Sequence, residues 1–97
     1  MIPSLIRWFN ERCNGEWEHQ NGLDITTTDN PGWLIRIKAE LVPIESKDHV
    51  IIKIGEYGND DKPWLEIRVQ DGELLASCSS DMIGEVDAHL SSLFWKQ

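Results

Sequence analysis

Ninety-seven residues carry seventeen acidic against nine basic side chains, a formal net charge of −8. That length bounds the chain to one domain, residues 1–97, whose single core removes only roughly 60 to 70% of the unfolded surface from water. An acidic excess of this size argues against nucleic acid and anionic membranes as partners, speeds encounter with basic proteins through an attraction that salt weakens, and favours a soluble monomer.

Pro3 followed by "SLIRWFNERCNG" predicts a first helix, because proline suits the first helical turn and Asn14-Gly15 accepts the left-handed conformation that ends one. Leu5, Phe9 and Cys13, with Ile2 and Trp8 beside them, form its expected buried side, and Arg7, Glu11 and Arg12 its wet side. A loop around Trp17 follows, and the apolar period then changes from about 3.6 to 2, the mark of strands. "GLDITTT" alternates Leu23, Ile25 and Thr27 against Asp24, Thr26 and Thr28. "DNPGW" is a turn signal in which Asp29 or Asn30 bonds the backbone ahead, Pro31 fixes one dihedral and Gly32 supplies the positive φ of a type II turn. The strand "WLIRIKAEL" puts Trp33, Ile35, Ile37, Ala39 and Leu41 on one face.

"VPIESKD" is a connection, since Pro43 disfavours central pairing. In "HVIIKIGEY" the alternation sends Val50, Ile52 and Ile54 inward and Ile51 and Lys53 outward. "WLEIRVQ" sets Leu65, Ile67 and Val69 against Trp64, Glu66 and Arg68, and Asp71-Gly72 joins it to "ELLASCS" in a strong hairpin signal. From Ser80 the helical period returns: Ser80 or Asp81 caps the start, Glu85 and Asp87 sit in the positive early turns, and Ile83, Val86, Leu90, Leu93 and Phe94 form the stripe. The expected fold is α+β: a five-stranded, meander-like antiparallel sheet between an N-terminal and a C-terminal helix, packed as a two-layer sandwich.

Chemistry-bearing clusters are sparse. Cys13 and Cys78 are too few and too far apart for a disulfide framework and belong to no zinc-spaced set, so two reduced thiols are expected, with Cys78 a buried, inert one. Of His19, His49 and His89, only His19 has close acidic neighbours, Glu16 and Glu18, and consecutive loop residues seldom converge on one metal ion. Ser77, Ser79 and Ser80 lack the glycine elbow and neighbouring histidine of a nucleophile site. The acidic turn "YGNDDKP", with Asp60 and Asp61, lacks the ligand spacing of a calcium loop. No catalytic residue, metal or cofactor is therefore expected. No secretory signal and no run of some eighteen apolar residues stands in the sequence, which gives a cytoplasmic protein as the expectation.

Five tryptophans in so short a chain need an account. Trp8, Trp33 and Trp95 fall on or near the apolar faces and are expected in the core. Trp17, between Glu16 and Glu18, and Trp64, on the face of Glu66 and Arg68, leave two alternatives open: half-buried braces under loops, or aromatic anchors ringed by charge, as binding hot spots often are.

Trp8, Cys13, Gly15, Trp17, Glu18, His19, Gly22, Ile25, Thr27, Asp29, Asn30, Pro31, Gly32 and Trp33 stand in a spacing that closely resembles the signature of the immunity protein 53 family. The block covers about the first third of the chain, and WEH followed at fixed distance by DNPGW is specific. The resemblance implies a bacterial immunity protein, made beside a polymorphic or contact-dependent toxin, that protects its producer by binding the toxin domain without cofactor or turnover. On that reading Trp17, Glu18, Trp64, Asp60, Asp61 and Glu66 are the candidate contacts with the toxin, a basic, nuclease-like protein if the acidic surface covers its active site. Trp33 and the DNPGW turn brace the hairpin, and Glu18 and His19 tie the loop back. A small acidic secretion chaperone, or another protein-binding adaptor, is the alternative, and a hydrolase using Glu18 and His19 a third reading.

Overall fold

Where the apolar period is 2, the chain pairs into one antiparallel sheet. The computed structural model describes residues 2–28, 31–56 and 62–95. Its strands are β1 (Leu23–Thr28), β2 (Gly32–Lys38), β3 (His49–Ile54), β4 (Leu65–Gln70) and β5 (Glu73–Ser79), in the spatial order β1-β2-β5-β4-β3. The α+β class, the five antiparallel strands and the two flanking helices are as the periodicity predicts. The order departs from the expected meander: β1–β2 and β3–β4–β5 are each sequential, but β5, the last strand, docks on β2. The chain after Lys38 therefore crosses to the far edge of the sheet before β3 begins.

Register fixes the two faces, because residues paired across an antiparallel ladder point the same way. One row runs Leu23, Ile37, Leu74, Val69, His49 and the next Ile25, Ile35, Ala76, Ile67, Ile52. A third joins Trp33, Cys78, Leu65 and Ile54. In the three inner strands these positions are buried almost without exception, and they make up most of the core.

Three local departures have physical reasons. The ladder shifts between Val50 and Ile52, a bulge at Ile51 that turns Val50 outward opposite Arg68, where strict alternation had placed it inward. Strand β2 ends at Lys38, and Ala39–Leu41 form one turn of 3-10 helix with Ala39 buried, its N–H donating to the Gly72 carbonyl at 2.9 Å. Gly32 already belongs to β2, paired with Thr28 and Ser79, while Asp29 and Asn30 lie outside the described residues. The Asp71-Gly72 link is the expected tight turn: both residues have positive φ, 54° and 79°. That pair of left-handed residues matches the twist of the strands it joins.

Two helices cover the apolar face. Helix α1 (Pro3–Arg12) lays Leu5 and Trp8 into the core, with Phe9 half-buried, and α3 (Ile83–Phe94) contributes Ile83, Val86, Leu90 and Phe94. Cys13, expected on the buried stripe, is the half-exposed residue that ends α1. Neither Ser80 nor Asp81 caps α3; a 3-10 turn at Ser80–Met82 leads into it, and Ser79 Oγ donates to the Asp81 carboxylate at 3.2 Å. Asp87, placed by sequence in a positive early turn of α3, is 4% exposed, and its two oxygens accept the N–H groups of Ser4 at 3.0 Å and Leu5 at 2.9 Å. A residue 82 positions away in sequence thus caps α1, which has no side-chain cap of its own.

Candidate functional site

The segment from Cys13 to Gln20 folds into a hydrogen-bonded knot followed by a four-residue helix, α2 (Trp17–Gln20), where sequence predicted a loop. Asn14 Oδ1 accepts the N–H groups of Glu16 and Trp17, each at 2.9 Å. Reciprocally, Glu18 reaches back to accept the N–H of Asn14 at 2.9 Å and of Gly15 at 2.9 and 3.2 Å. Hydrogen bonding from its own backbone N–H outweighs desolvation and, with the Asn14 and Gly15 donors, holds the Glu18 carboxyl below its ordinary value. The tie that sequence assigned to Glu18 and His19 together is made by Glu18. The His19 side chain is exposed and hydrogen-bonds to none of the described residues.

Trp17 sits half-buried on this knot, edge-on to Trp8 with centroids 6.0 Å apart and to Phe9 at 5.7 Å. Trp8 in turn stacks on Phe94 at 4.6 Å, which carries Trp95 edge-on at 5.8 Å. Arg12 lies over Trp8 and Arg7 over Trp95, both 4.8 Å from the centroid. The aromatic density at the N-terminus is therefore a continuous stack that fastens α1 and α2 to α3. Trp95, predicted in the core, ends this stack at 36% exposure because it follows the last turn of α3. Trp33 is half-buried against the core, its indole N–H donating to the Ser80 carbonyl at 3.2 Å.

Trp64 and Glu66 belong to the opposite face of the sheet, which no described helix covers. Trp64 is 7% exposed, and its N–H donates to Ser79 Oγ at 3.1 Å while its carbonyl accepts the Ser79 N–H at 3.0 Å. Its backbone also packs on Gly55, where an added Cβ would stand 2.5 Å from the Pro63 carbonyl oxygen. On this open face the register sets Asp24 opposite Arg36, Lys38 opposite Glu73 and Lys53 opposite Glu66, and Arg68 approaches Glu66 at 3.5 Å. The face is close to neutral. Trp17 and Glu18 in the helical layer and Trp64 and Glu66 on the open face thus stand on different sides of the sheet, and Asp60 and Asp61 lie outside the described residues.

The acidic excess gathers at the ends of the strands. Glu40, Glu45, Asp48, Asp71 and Glu73 share the end formed by the β4–β5 turn and the crossing segment, alongside Lys38 and Lys47. Asp48 Oδ1 accepts the Asp71 N–H at 3.0 Å, which, with the Ala39 bond to Gly72, locks the two loops together. Glu56, Asp81 and Glu85 lie toward the other end. Sequence reasoning gave the total charge but not this segregation, which depends on strand order.

Among the described residues no three His, Cys, Asp or Glu side chains gather to hold a metal ion, and no helix is long and apolar enough to cross a membrane. Both cysteines are unpaired. Burial pushes the Cys78 thiol up to about 11, helped by the Asp81 charge against a hydrogen bond from the Trp33 backbone, so it is protonated and unreactive at neutral pH. A family model described as immunity protein 53 matches residues 2–93. No curated protein and no solved structure matches the chain. The matched span takes in all three helices nearly to the end of α3 and all five strands, well beyond the N-terminal block that carries the resemblance, and the chain belongs to the immunity protein 53 family.

Proposed function

We propose that this chain acts in the cytoplasm of a bacterial cell as a stoichiometric, non-catalytic inhibitor that docks a preshaped acidic surface on the toxic domain of its cognate toxin. Family membership carries the general role, the neutralising of a toxin; the mode of action is the further step. The observation that carries it is the placement of Glu40, Glu45, Asp48 and Asp71 at one end of the sheet, on segments cross-linked by the Asp48 and Ala39 hydrogen bonds. Carboxylates on cross-linked loops of a chain of net charge −8 suit a basic partner, because they attract it at long range and the loop backbone needs little ordering when it arrives. A toxin that acts on a polyanion such as nucleic acid presents such a basic surface at its active site, and covering it blocks substrate entry without any bond being made or broken.

The test is co-expression of this chain with the toxic domain encoded beside it, with growth and complex formation both read. Restored growth together with a 1:1 complex in sedimentation supports the reading. Restored growth without a complex, or binding only to the unfolded domain as a secretion chaperone would bind it, contradicts it.

A further inference from the structure

The two edges of the sheet are built differently. Strand β3 carries the devices that keep an edge from pairing with another chain: a bulge at Ile51, and Lys53 on the outward face. Strand β1 carries one outward charge, Asp24, which faces Arg36 of β2, but neither lysine, proline nor bulge, and it pairs in unbroken register with β2 through six residues. Among the described residues no further strand lies beside it.

Alongside this unguarded edge lies a groove of about 340 Å³ between α1 and β1. Leu5, Ile6 and Phe9 form one wall and Leu23 and Ile25 the other. Ile6 at 52% and Ile25 at 38% exposure leave its mouth apolar. Leu23 and Ile25 begin the two inward rows of the sheet, so a strand added beside β1 would drop alternate side chains into the groove and extend the core by one column.

Charge decides what kind of strand fits. Arg7 and Arg12 of α1 are turned to the rings of Trp95 and Trp8, and Arg7 also meets Glu11 at 3.2 Å. Among the described residues, Glu18 is the one charged residue lining the groove. The row that starts at Leu23 leads across the sheet to Leu74, at the end that carries the acidic Asp71 turn. A second copy of this chain would bring another −8 to the same place.

We propose that β1 and its groove receive an extended segment of the cognate toxin, with apolar side chains at alternate positions and basic ones flanking them, which adds to the sheet as a sixth strand. This rests on the reading above that the chain neutralises a toxin by binding it, and it assigns the contact. Backbone pairing along β1 supplies a sequence-independent share of the affinity, and the groove selects the side chains at every second residue.

The test uses the full chain and a catalytically inactivated form of the neighbouring toxic domain. Amide hydrogen exchange within residues 23–27, at the N–H groups that point away from β2, is expected to slow at least tenfold in the complex, while residues 49–54 of β3 keep their free-state rates. Ile25→Lys and Ile6→Lys, with folding checked by circular dichroism, are expected to weaken binding in calorimetry by tenfold or more, and Val50→Lys on the opposite edge by less than twofold. If the wild-type complex forms while β1 exchanges as in the free protein, or if both groove variants bind as tightly as wild type, the strand-addition proposal falls and the inhibitor reading stands. If the wild type forms no complex, both fall. Slowing of β1 exchange with concentration in the free protein would give the edge to a second copy and overturn the proposal.

Discussion

Single residues carry more of this fold than their sequence neighbourhoods suggest. Asp87 reads locally as an early-turn acid of α3, yet it is the cap of α1, and nothing in a one-dimensional pattern signals a partner 82 residues away. Asp87→Ala strips two backbone N–H groups of their acceptor in a buried place and is expected to cost roughly 1–3 kcal/mol, read as a lower urea midpoint. Glu18 makes the second prediction. Its carboxyl is held below the ordinary value near 4.5, so its contribution is complete above that pH and is lost as pH falls through the lowered folded value. Glu18→Gln should therefore flatten the acid limb of stability against pH, as measured by denaturation between about pH 2 and 6. Cys78 makes the third: with Cys13→Ser in place, the native protein should show no thiol reaction with a disulfide reagent at pH 8, and one equivalent after unfolding.

Elements were legible in proportion to how strongly one period dominated them. Strands β4 and β5 alternate without interruption and are buried on the predicted side; α3 shows its stripe at Ile83, Val86, Leu90 and Phe94. The failures occurred where a tertiary contact overrode the local pattern. In β3 the bulge at Ile51 absorbed one residue and moved Val50 to the other face, and in β2 the bond from Ala39 to Gly72 ended the strand before Leu41. The WEHQ segment became helix α2 because Asn14 and Glu18 exchange backbone partners across it, a pairing visible in sequence only as two polar residues four apart. The aromatic stack ranks the tryptophans. Trp8→Ala, which empties the junction of α1 with Phe94, should cost about 3–5 kcal/mol, and Trp17→Ala on the half-exposed flank clearly less, both from equilibrium unfolding.

At the scale of the whole molecule, the sequence stated the charge and the structure distributes it. The open face of the sheet is balanced by cross-strand pairs, so the carboxylates left over stand at the strand ends and beside the groove, where no alignment of periods could place them before β5 was known to lie between β2 and β4. This predicts steered association: the rate constant with the toxic domain should fall at least about tenfold between low salt and 0.5 M, and charge reversal by Glu40→Lys with Glu45→Lys should slow it at low salt and weaken the complex. A rate independent of salt removes steering from the account. Whether this chain works by occupancy is tested most directly by titrating it into a fixed amount of active toxic domain and following the residual toxic activity. Inhibition that falls in a straight line to zero at one molecule per toxin, and reverses when the complex is dissociated, is the predicted result. Loss of activity at a small fraction of an equivalent, growing with time, would mean that the chain turns its target over and would contradict the account.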